Sequence, residues 1–208
     1  VISVNIQTVT EILEDMDETV KDADAAEVLQ SAQQEIMRLA RMVGGMLNLA
    51  SMTENTEKQM VNLSTLLHSS AQMHSLHLKK RGNFLKVNIA NGLTVFGTAD
   101  LLAQVVANLL QNAAAYTHQG EVTLRAEQAG SEILVVVTDT GTGISAELLP
   151  HVFERGVSTD GTGFGLYLCK TVVESHGGRI WIESCQGRGT SVSFALPAYE
   201  GQFGGEDA

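Results

Sequence analysis

Basic residues never gather into more than the triplet Lys79-Lys80-Arg81, in a chain of 208 residues whose net charge is −11. Nucleic-acid binding needs a basic surface to neutralise phosphates, so that class is excluded. The triplet reads as a solvated helix end. The same acidity repels free phosphate at long range, so a nucleotide site here must rest on local groups or on a metal. Cysteine is scarce: only Cys169 and Cys185, both in apolar patterns without metal-ligand spacing. They read as buried, reduced thiols of a reducing, cytoplasmic compartment. Long apolar runs are missing too. Ile133–Val137 is far short of a membrane span, and no signal-peptide pattern opens the chain, so no direct membrane contact is expected of these residues. No internal repeat recurs. The Walker pattern GxxxxGK(S/T) is absent, and Gly161–Gly165 reads GxGxG rather than GxGxxG, which argues against P-loop and dinucleotide-fold chemistry. The chain opens at Val1 inside a hydrophobic pattern, as a piece cut from something longer would.

What is present begins with a heptad seam. Apolar residues fall at Ile2, Ile6, Val9, Leu13, Met16 and Val20, and again at Leu29, Ala32, Ile36, Leu39, Val43, Met46 and Ala50, in alternating steps of three and four. This spacing predicts two successive helices. The break at Lys21–Ala26 holds Asp24, an N-cap with Glu27 three residues on. A loop this short implies an antiparallel hairpin. Two helices leave one side of the seam wet; a second copy would cover it, so residues 1–58 are expected to form a homodimeric four-helix bundle. The alternative is a hairpin packed on the rest of its own chain.

Thr53–Gln59 is polar, a linker, and the pattern then turns to mixed α and β. Helices are expected over Leu63–Arg81, ended by Gly82, over Asp100–Ala115, over Ala146–Phe153 and over Gly165–His176, closed by Gly177-Gly178. Alternation marks strands at Leu85–Ile89, Val122–Ala126, Arg179–Ser184 and Val192–Leu196, with a short one at Val95-Phe96. The continuous run Ile133–Thr138 reads as a central strand. Residues 59–198 therefore read as an α+β domain, a two-layer sandwich with helices on one face of a mixed sheet. Residues 199–208 read as a frayed, glycine-rich tail.

Two glycine clusters, DTGTG at 139–143 and DGTGFGL at 160–166, need an explanation. Asp139 closes the central strand, and an ionised carboxylate only accepts hydrogen bonds; it suits an exocyclic amine such as that of adenine. Gly141 and Gly143 let backbone pass close to a flat ring. Gly161, Gly163 and Gly165 lead into a helix, whose N-terminal N–H groups favour an anion. Asn108 and Asn112 are four apart and share a helix face. They could cap a neighbouring loop, or their carbonyl oxygens could hold a hydrated Mg²⁺ beside phosphates.

The order NLLQNAAAYT, DTGTGI, FERG, GTGFGLYL resembles the asparagine, first glycine, phenylalanine and second glycine boxes of sensor histidine kinases, within the wider GHKL ATPase superfamily. The resemblance runs over nearly the whole chain. It implies ATP and Mg²⁺ as ligands. Asn112 would coordinate the metal with Asn108 assisting, and Asp139 would take the adenine amine. Gly141, Gly143 and Ile144 would shape the base pocket, with Tyr116 packed on the ring. Phe153 would anchor a lid. Gly161, Thr162, Gly163, Phe164, Gly165 and Leu166 would carry the lid hinge and the phosphate contacts, and Arg155 would reach the γ-phosphate. It further implies a homodimer, a response-regulator receiver domain as partner, and a cytosolic place beneath a membrane-anchored sensor.

Three departures qualify this. Family members commonly carry a basic residue where this chain has Ala115. The lid from Glu154 to Gly161 is short, and Arg155 is its sole cation. The phosphoacceptor histidine box is missing. His68, His74, His77, His118, His151 and His176 lie outside such a context and read as solvated or structural, so the histidine is expected upstream of Val1, and this chain alone is not expected to autophosphorylate. Hydrolytic relatives (gyrase-type topoisomerases, heat-shock chaperones, mismatch-repair ATPases) place a glutamate base where Asn108 stands; an amide cannot take that proton. Kinase is thus favoured over ATPase, and a degenerate, nucleotide-independent scaffold stays as the other reading. The heptad hairpin argues against an anti-sigma serine kinase.

Overall fold

Val122, Leu124 and Ala126 recur at every second position, as do Ile133, Val135 and Val137, and a strand puts such residues on one face. In the computed structural model, which describes residues 57–157 and 163–199, that face is buried. The elements run β1 (Gln59–Asn62), α1 (Leu63–Lys80), β2 (Phe84–Ile89), β3 (Thr94–Gly97), α2 (Ala99–Tyr116), β4 (Glu121–Ala129), β5 (Glu132–Asp139), α3 (Gly165–Ser175), β6 (Arg179–Cys185) and β7 (Gly189–Pro197). The helical hairpin and dimer expected of residues 1–58 lie outside the described residues except for the last two positions. So do Gly161, Thr162 and the tail beyond Tyr199. Among the described residues no helix is long and apolar enough to cross a membrane.

The main sheet has the order β2-β4-β5-β7-β6. β2 and β4 are parallel and the other neighbours antiparallel. Register sets Leu124 opposite Val137 and Val137 opposite Val192, so one continuous apolar face runs across the central strands. Helices α1, α2 and α3 cover it. Leu67 of α1, Leu102, Leu109 and Leu110 of α2, and Val172 of α3 join Phe194 and Leu196 in one core. Each such side chain contributes roughly 1.5–3 kcal/mol when fully buried. This is the α+β arrangement with a mixed sheet that the sequence implies.

Two elements differ from expectation. Gln59–Asn62 is a strand, paired antiparallel with β3; the sequence reading ends its linker at Gln59 and assigns no element to residues 60–62. Only Val61 of its four residues is buried, so no alternation marks it. Ala146–Phe153 is not a helix; it holds a single 3-10 turn at Leu149–His151. Pro150 supplies no N–H in the middle of the segment, and tight bonds such as His151 N–H to the Leu148 carbonyl replace the α ladder (2.9 Å). The start of α1 also escaped notice: the Asn62 side chain accepts the Thr65 N–H at 2.9 Å as its N-cap.

His176 fastens the end of α3 to the start of α2. Its Nδ1 lies 2.7 Å from the Val172 carbonyl, and its Nε2 accepts the Thr98 N–H at 3.0 Å. An N–H can only donate, so Nε2 is bare, Nδ1 carries the proton, and the ring is neutral. The chain passes so close at Gly97 that a Cβ there would collide with the ring. Burial pushes the His176 pKa below its ordinary value of 6.5, and the nearby Lys58 charge adds to this. A proton on Nε2 would set two donors face to face. The folded state therefore binds fewer protons than the unfolded state. The stability this confers is complete above the ordinary value and is lost as pH falls through the lowered folded one. Urea midpoints measured between about pH 8 and pH 5 should fall on acidification in the wild type, and His176→Gln should be less stable near neutrality with a flatter acid slope.

Candidate functional site

Asp139 is the last residue of β5 and only 9% exposed. Its register partners are Val122 on β4 and Thr190 on β7, so it sits at the rim of the buried face. Burial raises its pKa; the Gly141 and Thr190 backbone N–H groups and the Thr117 hydroxyl pull the other way. The Gly141 N–H donates to Oδ1 at 2.8 Å. The carboxylate is thus desolvated, partly satisfied, and retains acceptor capacity.

The loop that follows is held from both sides. The Thr142 N–H donates to the Tyr116 carbonyl at the end of α2 (3.0 Å), and the Thr142 carbonyl accepts the Gly187 N–H from the β6–β7 turn (2.7 Å). The Ile144 N–H donates to Ser184 Oγ at 2.9 Å, which also touches Thr190 Oγ1 at 2.9 Å. The two glycines are required by these contacts. A Cβ at Gly141 would collide with the Tyr116 carbonyl, and one at Gly143, where φ is +67°, would collide with the Cys185 carbonyl. A shallow depression of about 340 Å³ runs past Asp139 on the exposed face of the sheet, lined by Thr138, Glu183, Cys185, Arg188 and Ser191.

On α2, Asn108, Asn112 and Tyr116 form a half-buried stripe at steps of four, beside the fully buried Leu109 and Ala113. The amides differ in surroundings. Asn108 reaches across to Cys169 of α3, whose thiol is pushed up to about 12 by burial and points at the Val105 carbonyl (3.7 Å). Asn112 lies one turn nearer the Asp139 loop. Ala115 is exposed, and the basic side chain at this helix end is Arg81, whose guanidinium donates to the carbonyls of Ala114 (3.3 Å) and Ala115 (3.1 Å). Arg81 is therefore a helix cap rather than the merely solvated charge its sequence context implies.

Helix α3 opens at Gly165 with no side-chain cap and no acidic residue in its first turn. A Cβ at Gly165 would meet nothing within 4 Å. The flanks of the preceding segment are drawn together: the Gly156 N–H donates to the Gly163 carbonyl at 3.0 Å, and Gly163, at φ +67°, lies too close to Gly156 to carry a Cβ. Arg155 lies over the ring of buried Phe164, 5.2 Å from its centroid. Phe153 and Leu166 are half-buried. Thr190 and Ser184 carry no motif in the sequence and are found only through these contacts, as are the roles of Cys169 and Arg81. Among the described residues no group of three or more His, Cys, Asp or Glu could hold a metal.

Residues 97–200 match the family described as Histidine kinase-, DNA gyrase B-, and HSP90-like ATPase. The sensor protein SrrB of Staphylococcus aureus is 30% identical over 96% of this chain, which spans 37% of that protein's length. The catalytic domain of histidine kinase ThkA is 28% identical, with a TM-score of 0.64 over 68% of this chain and 98% of that one. ThkA in complex with response regulator protein TrrA shares the fold at 21% identity, with a TM-score of 0.71 over 95% of this chain and 57% of that one.

Gly92 and Gly143 separate backbone freedom from close approach. Both have positive φ, but only at Gly143 would a Cβ meet other atoms. Gly92→Ala should cost about 1 kcal/mol, whereas Gly143→Ala should cost roughly 2–4 kcal/mol and displace the loop. Chemical denaturation of the two variants checks the difference.

Proposed function

Since the chain belongs to the family of histidine kinase-, DNA gyrase B- and HSP90-like ATPases, we propose that it is the ATP-binding catalytic core of a sensor histidine kinase. The observation that carries this is the loop after β5: a buried carboxylate with acceptor capacity to spare, clamped between the end of α2 and the β6–β7 turn. Asp139 would accept the adenine amine, Gly141, Gly143 and Ile144 would border the base, and Tyr116 would flank it. The uncapped first turn of α3, with Gly163, Phe164, Gly165 and Leu166 beside it and Gly161 and Thr162 before it, would receive phosphates. Its fit is a first turn with no side-chain cap and no acidic residue to compete with an anion.

Asn112 would offer an amide oxygen to Mg²⁺, with Asn108 in support from its place against Cys169. When bound, the ion supplies charge neutralisation at the phosphates. No side chain on the α2 stripe can take a proton from water, so the chain is built for transfer rather than hydrolysis. The acceptor is a neutral imidazole: its nitrogen bonds to the γ-phosphorus as the bond to the β,γ-bridging oxygen breaks, and ADP leaves. Arg155, which lies over the Phe164 ring, would be the electrostatic contact to the γ-phosphate. The acceptor would belong to the dimerisation and phosphotransfer region of a homodimer. Relay to a response-regulator aspartate follows, in line with the ThkA complex. The protein would then be the cytosolic end of a membrane-anchored receptor.

Binding of ADP and ATP, with and without Mg²⁺, tests the reading. Asp139→Asn should weaken both nucleotides by at least about tenfold, through loss of a charge-assisted bond. Asn112→Ala should remove most of the gain that Mg²⁺ gives to ATP. A wild-type chain that takes up neither nucleotide at millimolar concentration would point to the scaffold instead. With a longer, histidine-bearing chain, γ-labelled ATP should label the histidine faster than it releases phosphate.

A further inference from the structure

Strand register sets Val122, Asp139, Thr190 and Ser184 side by side across β4, β5, β7 and β6, on one face of the sheet. The preceding rung of that face, Leu124, Val137, Val192 and Ile182, is apolar throughout. Ser184 thus closes the same rung as Asp139, two strands away. β6 stands at the end of the sheet order, paired with β7, and Ser184 is its next-to-last residue. The loop after Asp139 crosses this end of the strand. Gly143 passes too close to the Cys185 carbonyl to carry a Cβ, and the Ile144 N–H donates to Ser184 Oγ at 2.9 Å.

Ser184 Oγ has two further neighbours: the Gly189 carbonyl at 3.0 Å and Thr190 Oγ1 at 2.9 Å. A hydroxyl has one proton and two lone pairs. A carbonyl only accepts, so the proton points to Gly189. An N–H only donates, so Ile144 takes one lone pair, and the Thr190 hydroxyl donates to the other. The group is saturated and has nothing left to offer a ligand. Whatever it does for a ligand, it does through the parts it joins: the loop beyond Asp139, the start of β7 at Gly189, and the strand residue beside Asp139.

We infer that Ser184 is a positioning residue of the nucleotide site: its hydroxyl holds the Gly143–Ile144 backbone against the end of β6, and so fixes the gap between that loop and Asp139 into which a flat base fits. This rests on the nucleotide reading above and adds to it a residue that touches no ligand. The loop is also tied at Thr142, whose N–H and carbonyl bond to the backbone of Tyr116 and Gly187. Those bonds precede the turn at Gly143, where a φ of +67° redirects the chain. The next tie, on the far side of that turn, is the one from Ile144 to Ser184. Backbone bonds persist whatever the side chains are; the bond to Ser184 depends on its hydroxyl. A loop already ordered before the ligand arrives loses less conformational freedom on binding, and the affinity is higher for it.

Affinity for ADP and hydrogen exchange of the Ile144 amide are measured on the full chain, under reducing conditions, in the wild type, Ser184→Ala and Ser184→Cys. Cysteine fills the same space as serine, but its sulfur accepts a hydrogen bond only weakly. Both variants should bind ADP about fivefold more weakly than the wild type. In both, the Ile144 amide should exchange about tenfold faster, while the amides of β5 and β7 keep their wild-type protection. If Ser184→Ala does not fold, Ser184→Cys decides alone. Wild-type ADP affinity in Ser184→Cys overturns the inference, because filled space and not the hydrogen bond then accounts for the residue. A loss of ADP affinity without faster Ile144 exchange overturns it too, as does faster exchange without a loss of affinity. Each of these results leaves the nucleotide reading intact. A wild-type chain that does not bind ADP overturns both.

Discussion

The carboxylate of Asp139 is taken out of water at the rim of the sheet, and the geometry around it follows from that. A desolvated carboxylate must be supplied with donors or give up its charge. The supply comes from the loop's own Gly141 N–H and the Thr190 N–H on the neighbouring strand, and the loop is tied in turn to the end of α2 and to the β6–β7 turn through Thr142. Each binds the site to a different element, so the sheet, the helix and the hairpin turn must all be in place before the site exists.

The same logic runs through the second layer. Helix α2 ends where the Asp139 loop begins, joined by the bond from the Thr142 N–H to the Tyr116 carbonyl. Its start is tied to the end of α3 by neutral His176, and its final carbonyls are capped by Arg81. Asn108 touches Cys169 of α3. The helix that carries both asparagines is thus fixed at its start, middle and end by polar contacts, while leucines fix its face. A site made of amides and backbone N–H groups has no strong ligand of its own to order it, so its precision depends on this external bracing.

Much of this could be read in advance, and for identifiable reasons. β4, β5 and β7 each have one buried face, so their alternation was visible; β1 buries Val61 alone and was not. Leu148, Leu149 and Val152 mimic a helical stripe, but Pro150 interrupts the ladder. Asp139, Gly141 and Gly143 were legible because close approach and positive φ admit little besides glycine. Thr190 and Ser184 were not, since hydroxyl residues serve equally well on any surface, and what makes these two special is a neighbour far away in the chain.

The sequence by itself determined the main strands and helices, β1 and the Leu149–His151 turn apart, that they form two layers, and which family's boxes the chain carries, because periodicity and glycine act locally. Only the tertiary structure decided which side chains stand around Asp139, which tautomer His176 holds, and that Arg81 and Cys169 brace the asparagine helix. Those facts depend on strand register and helix docking, which bring together residues with no local sign of one another.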